Sequence, residues 1–284
     1  MTSDDVQEQR ERLLDSWEAA AKGWGRQADR TAASALPISQ WMIDHAGLAH
    51  GQRVLELAAG PGDTGFMAAR LIEPDGTLIS SDASAAMLDV ARERAQEQGI
   101  ANVEFKQLQL EWIDLEAASV DAILCRWGVM LIVDPSAALR ECRRVLKPGG
   151  RLALAVWDVR EKNLWAAIPD GALVGLGHSQ PTAAGAPGMF ALSAPGQLRE
   201  LLDGAGFMDV EVETLAIARR WDSVLDWIGE TRDRSRNFGA VWAGMADEQR
   251  RALRERIADD AAAYTDAGGA IEIPGSCLMA VAAA

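Results

Sequence analysis

The sequence reads Val54-Leu55-Glu56-Leu57-Ala58-Ala59-Gly60-Pro61-Gly62-Asp63-Thr64-Gly65 where a helical pattern gives way to alternating strands and helices. Apolar residues around a single acid predict a buried strand, and the closely spaced glycines predict a tight turn into a helix. Such a turn aims backbone N–H groups and a helix N-terminus at one place, which suits a nucleotide-like ligand. We therefore expect a ligand site at the end of this first strand.

The glycine spacing alone leaves two kinds of nucleotide open. Gly60-x-Gly62-x-x-Gly65 fits a dinucleotide-binding fingerprint, and Asp82 follows near the position of the expected ribose-binding acid. Tight strand-to-helix turns of any kind select glycine, so this spacing does not by itself identify the ligand. A nicotinamide-dependent oxidoreductase is one hypothesis that it leaves open. That reaction needs a proton relay, and the only tyrosine, Tyr264, lies far along the chain.

Two further features indicate a different cofactor. Glu56 lies inside the first strand, and Arg144-Val145-Leu146-Lys147-Pro148-Gly149-Gly150-Arg151-Leu152 reads as a helix end, a turn and a new strand. Together they resemble the class I S-adenosylmethionine (SAM) dependent methyltransferases, in particular the group with the ubiquinone and menaquinone C-methyltransferases and many small-molecule methyltransferases. The resemblance covers residues 51–157 well and the rest loosely. It implies an α/β fold with a Rossmann-like, mostly parallel seven-stranded sheet and helices on both faces.

Composition limits the classes of partner. The formal net charge is −14, from 28 basic and 42 acidic residues, which disfavours nucleic acid and anionic membranes. The segment Arg232-Asp233-Arg234-Ser235-Arg236 is predicted to be a solvated turn rather than a basic patch. The three cysteines have neither metal-ligand nor disulfide-framework spacing, so we expect no metal. Without a signal core or an apolar run long enough to cross a bilayer, the sequence predicts a cytoplasmic protein.

Hydrophobic periodicity predicts the order of elements. Leu13, Trp17 and Trp24 share one face of an N-terminal helix, which can serve as a lid or as a homodimer contact, and a second helix is expected from Pro37 to Leu48. Strands are predicted at 54–58, 77–81, 103–108, 120–126, 151–157, 209–217 and 277–284. Helices are predicted between them at 64–72, 84–98, 135–146, 195–205 and 247–264.

These elements predict a single methyltransferase domain with additions. The division is an N-terminal helical cap at 1–50, a cofactor-binding core at 51–157, acceptor-site insertions at 158–194 and 219–270, and remaining sheet elements at 195–218 and 271–284. The insertions are expected to form helical lids over the carboxyl edge of the sheet, where open α/β folds bind ligands.

The resemblance implies how SAM would be held. Gly60 and Gly62 would let the backbone approach the cofactor, and Asp82 would accept both ribose hydroxyls. Glu56 would lie near the amino-acid part, unless it caps backbone amides instead. The remaining candidates are expected around the adenine and the methionine part: Ala58, Ala83, Met87, Gln109, Leu110 and Arg126. Gln109 stands where the family usually has an aspartate, and its carbonyl can still accept from the adenine amino group.

The acceptor side is described less fully by the sequence. Trp17, Trp24, Trp127, Trp157 and Trp165 are candidates for an aromatic pocket, although tryptophans on helix faces are often core residues. His178 is a weak candidate for a general base, whereas His45 and His50 are expected to be structural. The hypothesis is methyl transfer to O, C or N of a small, largely apolar or aromatic molecule. A non-catalytic SAM-binding protein is the alternative.

Overall fold

The computed structural model describes residues 3–181 and 186–284. It contains one seven-stranded sheet in the order β3-β2-β1-β4-β5-β7-β6, in which β7 runs antiparallel to β5 and β6 while the other neighbours are parallel. The strands are β1 Arg53–Glu56, β2 Thr77–Asp82, β3 Val103–Gln107, β4 Val120–Arg126, β5 Leu146–Trp157, β6 Met208–Trp221 and β7 Ile271–Ala283. The predicted α/β sheet is confirmed.

Helices pack around this sheet. Their bounds are α1 Ser3–Arg26, α2 Ala28–His45, α3 Asp63–Ile72, α4 Ala85–Glu97, α5 Pro135–Val145, α6 Leu164–Gly175, α7 Gln197–Gly204, α8 Val224–Arg234, α9 Arg236–Gly244 and α10 Asp247–Asp260. Val54, Leu78 and Ala122, which lie side by side on β1, β2 and β4, are each fully buried. Strands with neither face in water are apolar throughout, which explains the continuous apolar runs of the central strands. None of the helices in the described ranges is long and apolar enough to cross a membrane.

The strand order decides where the polar residues meet. β1 ends at Glu56, β2 at Asp82 and β4 at Arg126. Because the three strands are parallel neighbours, their carboxyl ends lie along one edge of the sheet.

Several predicted boundaries were wrong. Pro37 lies inside α2, which begins nine residues earlier at Ala28, because Ala28, Thr31 and Ala35 continue its buried face. β7 begins at Ile271, since it pairs along nearly all of β6. The segment predicted to be irregular after Trp157 contains helix α6.

The predicted solvated turn at Arg232–Arg236 was also wrong. Its first three residues form the last turn of α8, and Arg234 contacts the ring of Trp24 from 4.3 Å. A Cβ on Gly23 of α1 would lie 1.9 Å from the Asp233 carbonyl oxygen, so only glycine lets the two helices approach this closely. The charged segment is therefore a helix–helix contact.

Candidate functional site

A cavity of about 200 Å³ opens at the carboxyl edge of the sheet. The loops that follow β1, β3 and β4, the ends of β2, β4 and β5, and the first part of α4 contribute to the wall together with α1 and α8. The lining residues are Arg10, Leu13, Leu14, Trp17, Trp24, Ala58, Ala59, Gly60, Pro61, Asp82, Ala83, Met87, Gln109, Leu110, Glu111, Arg126, Trp127, Gly128, Met130, Leu131, Ile132, Val133, Trp157, Met189 and Arg234.

The glycines of the first turn have three different roles. Gly60 has a φ of +52°, and a Cβ there would meet no atom within 4 Å, so the space beside it is open to a ligand. Gly62 has a φ of +89°, and its Cβ would lie 2.4 Å from the Phe66 ring. A Cβ on Gly65 would overlap the Glu56 carboxylate. Only Gly60 therefore faces the cavity, and Gly62 is required for packing.

The N–H groups of these glycines are all used within the protein. Gly60 N donates to Asp82 Oδ2 at 2.9 Å, Gly62 N to the Ala59 carbonyl at 3.0 Å, and Gly65 N to Glu56 Oε1 at 2.7 Å. A dinucleotide pyrophosphate would need such donors to be free. The three glycine N–H groups are therefore not available to a ligand.

Asp82 holds the two neighbouring loops together at the cavity wall. Its second oxygen, Oδ1, accepts from Ser84 N at 2.9 Å, while the Ser84 hydroxyl caps α4 by accepting from Met87 N. Burial raises the pKa of the Asp82 carboxyl. The Ala83 backbone N–H also interacts with this carboxylate, which has about four acceptor positions and so keeps capacity for a ribose hydroxyl.

Glu56 lies outside the cavity lining. It is 3% exposed, and besides Gly65 N it accepts weakly from the Ser80 hydroxyl at 3.4 Å. Burial raises the pKa of Glu56 to about 8. Of its two sequence-based interpretations, the geometry supports the backbone-capping role.

Arg126 lies in the cavity wall with an incomplete set of partners. Its Nη2 donates to Asp63 Oδ2 at 3.4 Å, and Arg94 donates to the other oxygen of Asp63 at 3.0 Å. Its Nη1 is buried and has no hydrogen-bond partner. Burial lowers the pKa of Arg126, and the nearby Arg234 guanidinium lowers it further. A bound carboxylate would satisfy this group.

The loop after β4 is strained where it meets the loop after β1. Trp127 has a φ of +63° and Ala58 one of +50°, a region that costs non-glycine residues about 1–3 kcal/mol. A Cβ on Gly128 would lie 2.6 Å from that of Ala58, so glycine permits the contact. In this backbone conformation Trp127 lines the cavity, and its ring stacks on that of Trp157 at 4.5 Å.

The expected adenine contacts lie together on the next stretch of wall. Ala83, Met87, Gln109 and Leu110 all line the cavity, with Leu110 buried and Gln109 exposed at the rim. Gln109 therefore has a free approach to a ligand at the position where the resemblance places the adenine.

Four of the five predicted pocket tryptophans line the cavity. Trp17 and Trp24 come from α1, and Trp127 and Trp157 from the ends of β4 and β5. Trp165 does not line the cavity; it packs edge-on against Trp157 at 4.7 Å and supports it from behind.

His178 does not line the cavity. It follows α6, and its N–H donates to the Leu173 carbonyl at 2.8 Å. The cavity wall, as far as the structure describes it, contains no histidine, tyrosine, cysteine or lysine. Its acids are Asp82 and Glu111, and Glu111 accepts from Arg10 at 3.0 Å and from Asp134 N at 3.0 Å.

Arg10 and Arg234 are cavity residues that the sequence did not identify as such. Arg10 joins α1 to the loop after β3 through Glu111, and Arg234 reaches the wall from α8. The only sequence signal was the aromatic face of α1, which Arg10 continues by two helical turns from Trp17.

Comparison with known proteins identifies the domain. Residues 48–181 match the model of a methyltransferase domain. The ubiquinone/menaquinone biosynthesis C-methyltransferase UbiE of Cellvibrio japonicus is 38% identical over 114 residues, which are 40% of this chain and 46% of that protein. UbiE of Serratia proteamaculans is 37% identical over 114 residues, 40% of this chain and 45% of that protein. The match thus spans less than half the length of each relative.

Solved structures share the fold at low identity. YcgJ of Bacillus subtilis superposes with a TM-score of 0.58 at 23% identity, covering 86% of this chain and 97% of that chain. A methyltransferase in complex with the Haloferax volcanii activator Trm112 has a TM-score of 0.58 at 20% identity, covering 96% and 97%. The [4+2]-cyclase SpnF has a TM-score of 0.55 at 18% identity, covering 87% and 79%.

The domain match, the order of the strands and the glycine turn beside Asp82 agree with one another. Residues 48–181 belong to a methyltransferase domain, and this part of the chain is similar to the class I SAM-dependent methyltransferases. It is similar to the ubiquinone and menaquinone C-methyltransferases over 114 residues.

Proposed function

We propose that this protein transfers a methyl group from SAM to O, C or N of a small, largely apolar or aromatic molecule. The observation that carries the proposal is the pairing of an open Gly60 with Asp82 at one end of a cavity whose other end is aromatic. The C-methyltransferase relatives, which match part of the chain, make carbon one candidate for the methylated atom.

The chain's own residues fit each part of SAM. Asp82 has acceptor capacity left for a ribose hydroxyl, Gly60 leaves room for the ligand, and Gln109 and Leu110 offer polar groups to an adenine. Arg126 has a buried Nη1 without a partner, which suits the methionine carboxylate. The turn offers no glycine N–H to a phosphate, and SAM has none.

The protein's contribution to the reaction is alignment and exclusion of water. SAM supplies an activated methyl group, and displacement at that carbon requires the acceptor in line with the carbon–sulfur bond. Trp127 and Trp157 stack at the ends of adjacent strands and would form a fixed wall for a flat acceptor. Trp17 and Trp24 of α1 lie on the outer side and would shield the bound pair from solvent.

A protein with this fold can also catalyse a different reaction. SpnF is a [4+2]-cyclase, so this architecture supports reactions other than methyl transfer. A protein that binds SAM without transferring the methyl group would bind the cofactor but produce no S-adenosylhomocysteine (SAH) with any acceptor.

Calorimetry with SAM, SAH and NADH, each added separately, tests the proposal. We expect micromolar binding of SAM and SAH and none of NADH. Asp82→Ala should weaken SAH binding by at least about tenfold, because the ribose loses a charge-assisted acceptor. Asp89→Ala, which removes an exposed acid of α4 that pairs with Arg92, is the matched control and should bind as the wild type does.

Binding of NADH alone would overturn the SAM assignment. If SAH binds, incubation with SAM and phenolic, quinone, acid and amine acceptors follows, with SAH formation as the readout. No turnover with any acceptor class would favour the non-catalytic function.

A further inference from the structure

The cavity wall carries more positive charge than its own acids neutralise. Three arginines line it: Arg10, Arg126 and Arg234. Arg10 is neutralised by Glu111, whose side chain is 10% exposed. Arg126 and Arg234 each share their carboxylate with another arginine.

Arg234 belongs to a buried network centred on Glu230. The Arg234 Nη1 donates to Glu230 Oε1 at 2.8 Å, Arg219 pairs with the same oxygen, and the Trp221 ring N–H donates to Oε2 at 2.6 Å. The side chains of Glu230 and Arg219 are each 4% exposed, and that of Arg234 is 12% exposed. Arg30 also lies 3.9 Å from Glu230 Oε2, although it pairs more closely with Asp226 at 2.8 Å. Arg219 and Arg234 therefore share one buried carboxylate, and the Arg234 Nε is buried without a hydrogen-bond partner.

Arg126 also shares its carboxylate partner with another arginine. Arg94 and Arg126 share Asp63, although Arg94 also pairs with the exposed Asp29 at 2.9 Å. Glu56 also interacts with Arg126, but burial raises the pKa of Glu56 to about 8, which favours its neutral form. With Arg126 assigned to the methionine carboxylate of SAM, Arg234 is the cationic group of the acceptor side whose single carboxylate partner, Glu230, is shared with Arg219.

The other residues on the acceptor side indicate that the uncharged part of the ligand is apolar or aromatic. Arg234 lies over the ring of Trp24 at 4.3 Å, and Trp24 contacts Trp17 edge-on at 6.1 Å. The stacked rings of Trp127 and Trp157 and several aliphatic and methionine side chains complete the apolar part of the wall. No unpaired acid is present among the lining residues of this side to attract a cation, and none of them is a free base.

We propose that the methyl acceptor is a small apolar or aromatic organic acid, bound as its anion with the charged oxygen on Arg234. This inference rests on the proposed function and names the substrate class of the same site. An acceptor that is already ionised suits a wall without a free base, because no proton then has to be removed for the oxygen to become nucleophilic. The anion also balances the positive charge that SAM itself brings through its sulfonium and ammonium groups.

A matched set of ligands tests this with the SAH-saturated protein. Calorimetry is performed with trans-cinnamate, cinnamamide and cinnamylamine, which share one apolar body and differ in charge. We expect cinnamate to bind about tenfold or more tightly than the amide, the range of a charge-assisted hydrogen bond, and the amine to bind least. Equal or tighter binding of the amide or the amine overturns the inference, as does the absence of any cinnamate binding at millimolar concentration.

Two variants test whether Arg234 causes the preference for the carboxylate. Arg234→Leu should reduce cinnamate binding to the level of the amide and leave SAH binding within about twofold. Arg250→Leu removes an arginine that lies over Trp242 at 5.9 Å, outside the cavity lining, and should keep the full preference. A preference that survives Arg234→Leu overturns the role of Arg234. If Arg234→Leu does not fold, the comparison of the three ligands in the wild-type protein decides alone.

The two proposals fail differently. If the protein does not bind SAH, the proposed methyl transfer is wrong whichever cinnamyl compound binds. If SAH binds and the amide or amine is preferred, methyl transfer stands and only the anionic acceptor is wrong.

Discussion

Glu56 is an acid whose environment favours its neutral form. Its carboxyl is buried between β1, α3 and β2, and its pKa of about 8 is raised from 4.5 chiefly by burial. The folded protein therefore binds this proton more tightly than the unfolded chain does. The resulting stability is complete below pH 4.5 and is lost as the pH rises through about 8.

Glu56→Gln should remove this pH dependence. The amide keeps an oxygen for the Gly65 N–H and cannot ionise. Relative to the wild type, we expect the variant to gain on the order of 3–5 kcal/mol of unfolding free energy between pH 5 and pH 9. Urea unfolding of both proteins at pH 5, 7 and 9 measures it, and a difference that stays constant across these pH values would contradict the buried-acid account.

Gly60 and Gly62 should respond differently to the same substitution. Gly62→Ala places a Cβ 2.4 Å from the Phe66 ring at a φ of +89°, so we expect a loss of stability of about 2 kcal/mol or more. Gly60→Ala has open space and a milder φ of +52°, so it should fold and instead weaken SAH binding. Thermal melts and SAH titrations of both variants check this, and the reverse pattern would mean that Gly62 faces the cofactor.

Helices α1 and α8 form the outer wall as a pair. The Arg26 guanidinium donates to Asp233 at 2.6 Å, and the Trp24 ring N–H donates to the Arg234 carbonyl at 3.3 Å. Glu18 of α1 also accepts from the first N–H groups of α4, Ala85 N and Ala86 N. Helix α1 is thus hydrogen-bonded both to α4 and to α8, and these contacts account for the position of its tryptophans in the cavity wall.

Glu230→Gln should destabilise this pair of helices strongly. The change leaves Arg219 and Arg234 buried without a counter-charge, a loss that typically costs about 3–5 kcal/mol. Glu8→Gln is the control, because Glu8 pairs with Arg12 at the surface, where both side chains are about two-thirds exposed, and should cost less than about 1 kcal/mol. Similar losses of unfolding free energy in the two variants would show that the Glu230 network does not support the fold.

The whole molecule should be stabilised by its cofactor. In the proposed site SAH would contact the loops after β1, β2 and β3, which come together only in the folded protein. At 100 times its dissociation constant it should add about 2.7 kcal/mol to the unfolding free energy. A thermal melt with and without SAH measures the shift, and Asp82→Ala should lose most of it. An equal shift in that variant would place SAH elsewhere on the protein.

Local features of the chain were predictable because they depend on neighbours in sequence. The glycine turn, the apolar run 120–126, and Asp82 at the end of its strand all appear where the pattern indicates, and the strand order of an α/β fold then brings Asp82 beside Gly60. The start of α2 was predicted wrongly. Proline is common at the first position of a helix, but here the buried face continues from Pro37 back to Ala28, and the helix continues with it.

The sequence alone determined three features: the succession of buried strands along the chain, the glycine turn, and the acids beside that turn. Each is a periodic or steric property of a few adjacent residues. Only the tertiary structure decided which distant side chains share the cavity. Arg234 contacts Trp24 across 210 positions, Trp165 lies behind Trp157, and Glu56 accepts from Gly65 N outside the cavity lining. Such contacts depend on how whole helices pack on the sheet, and packing joins residues that no local pattern relates.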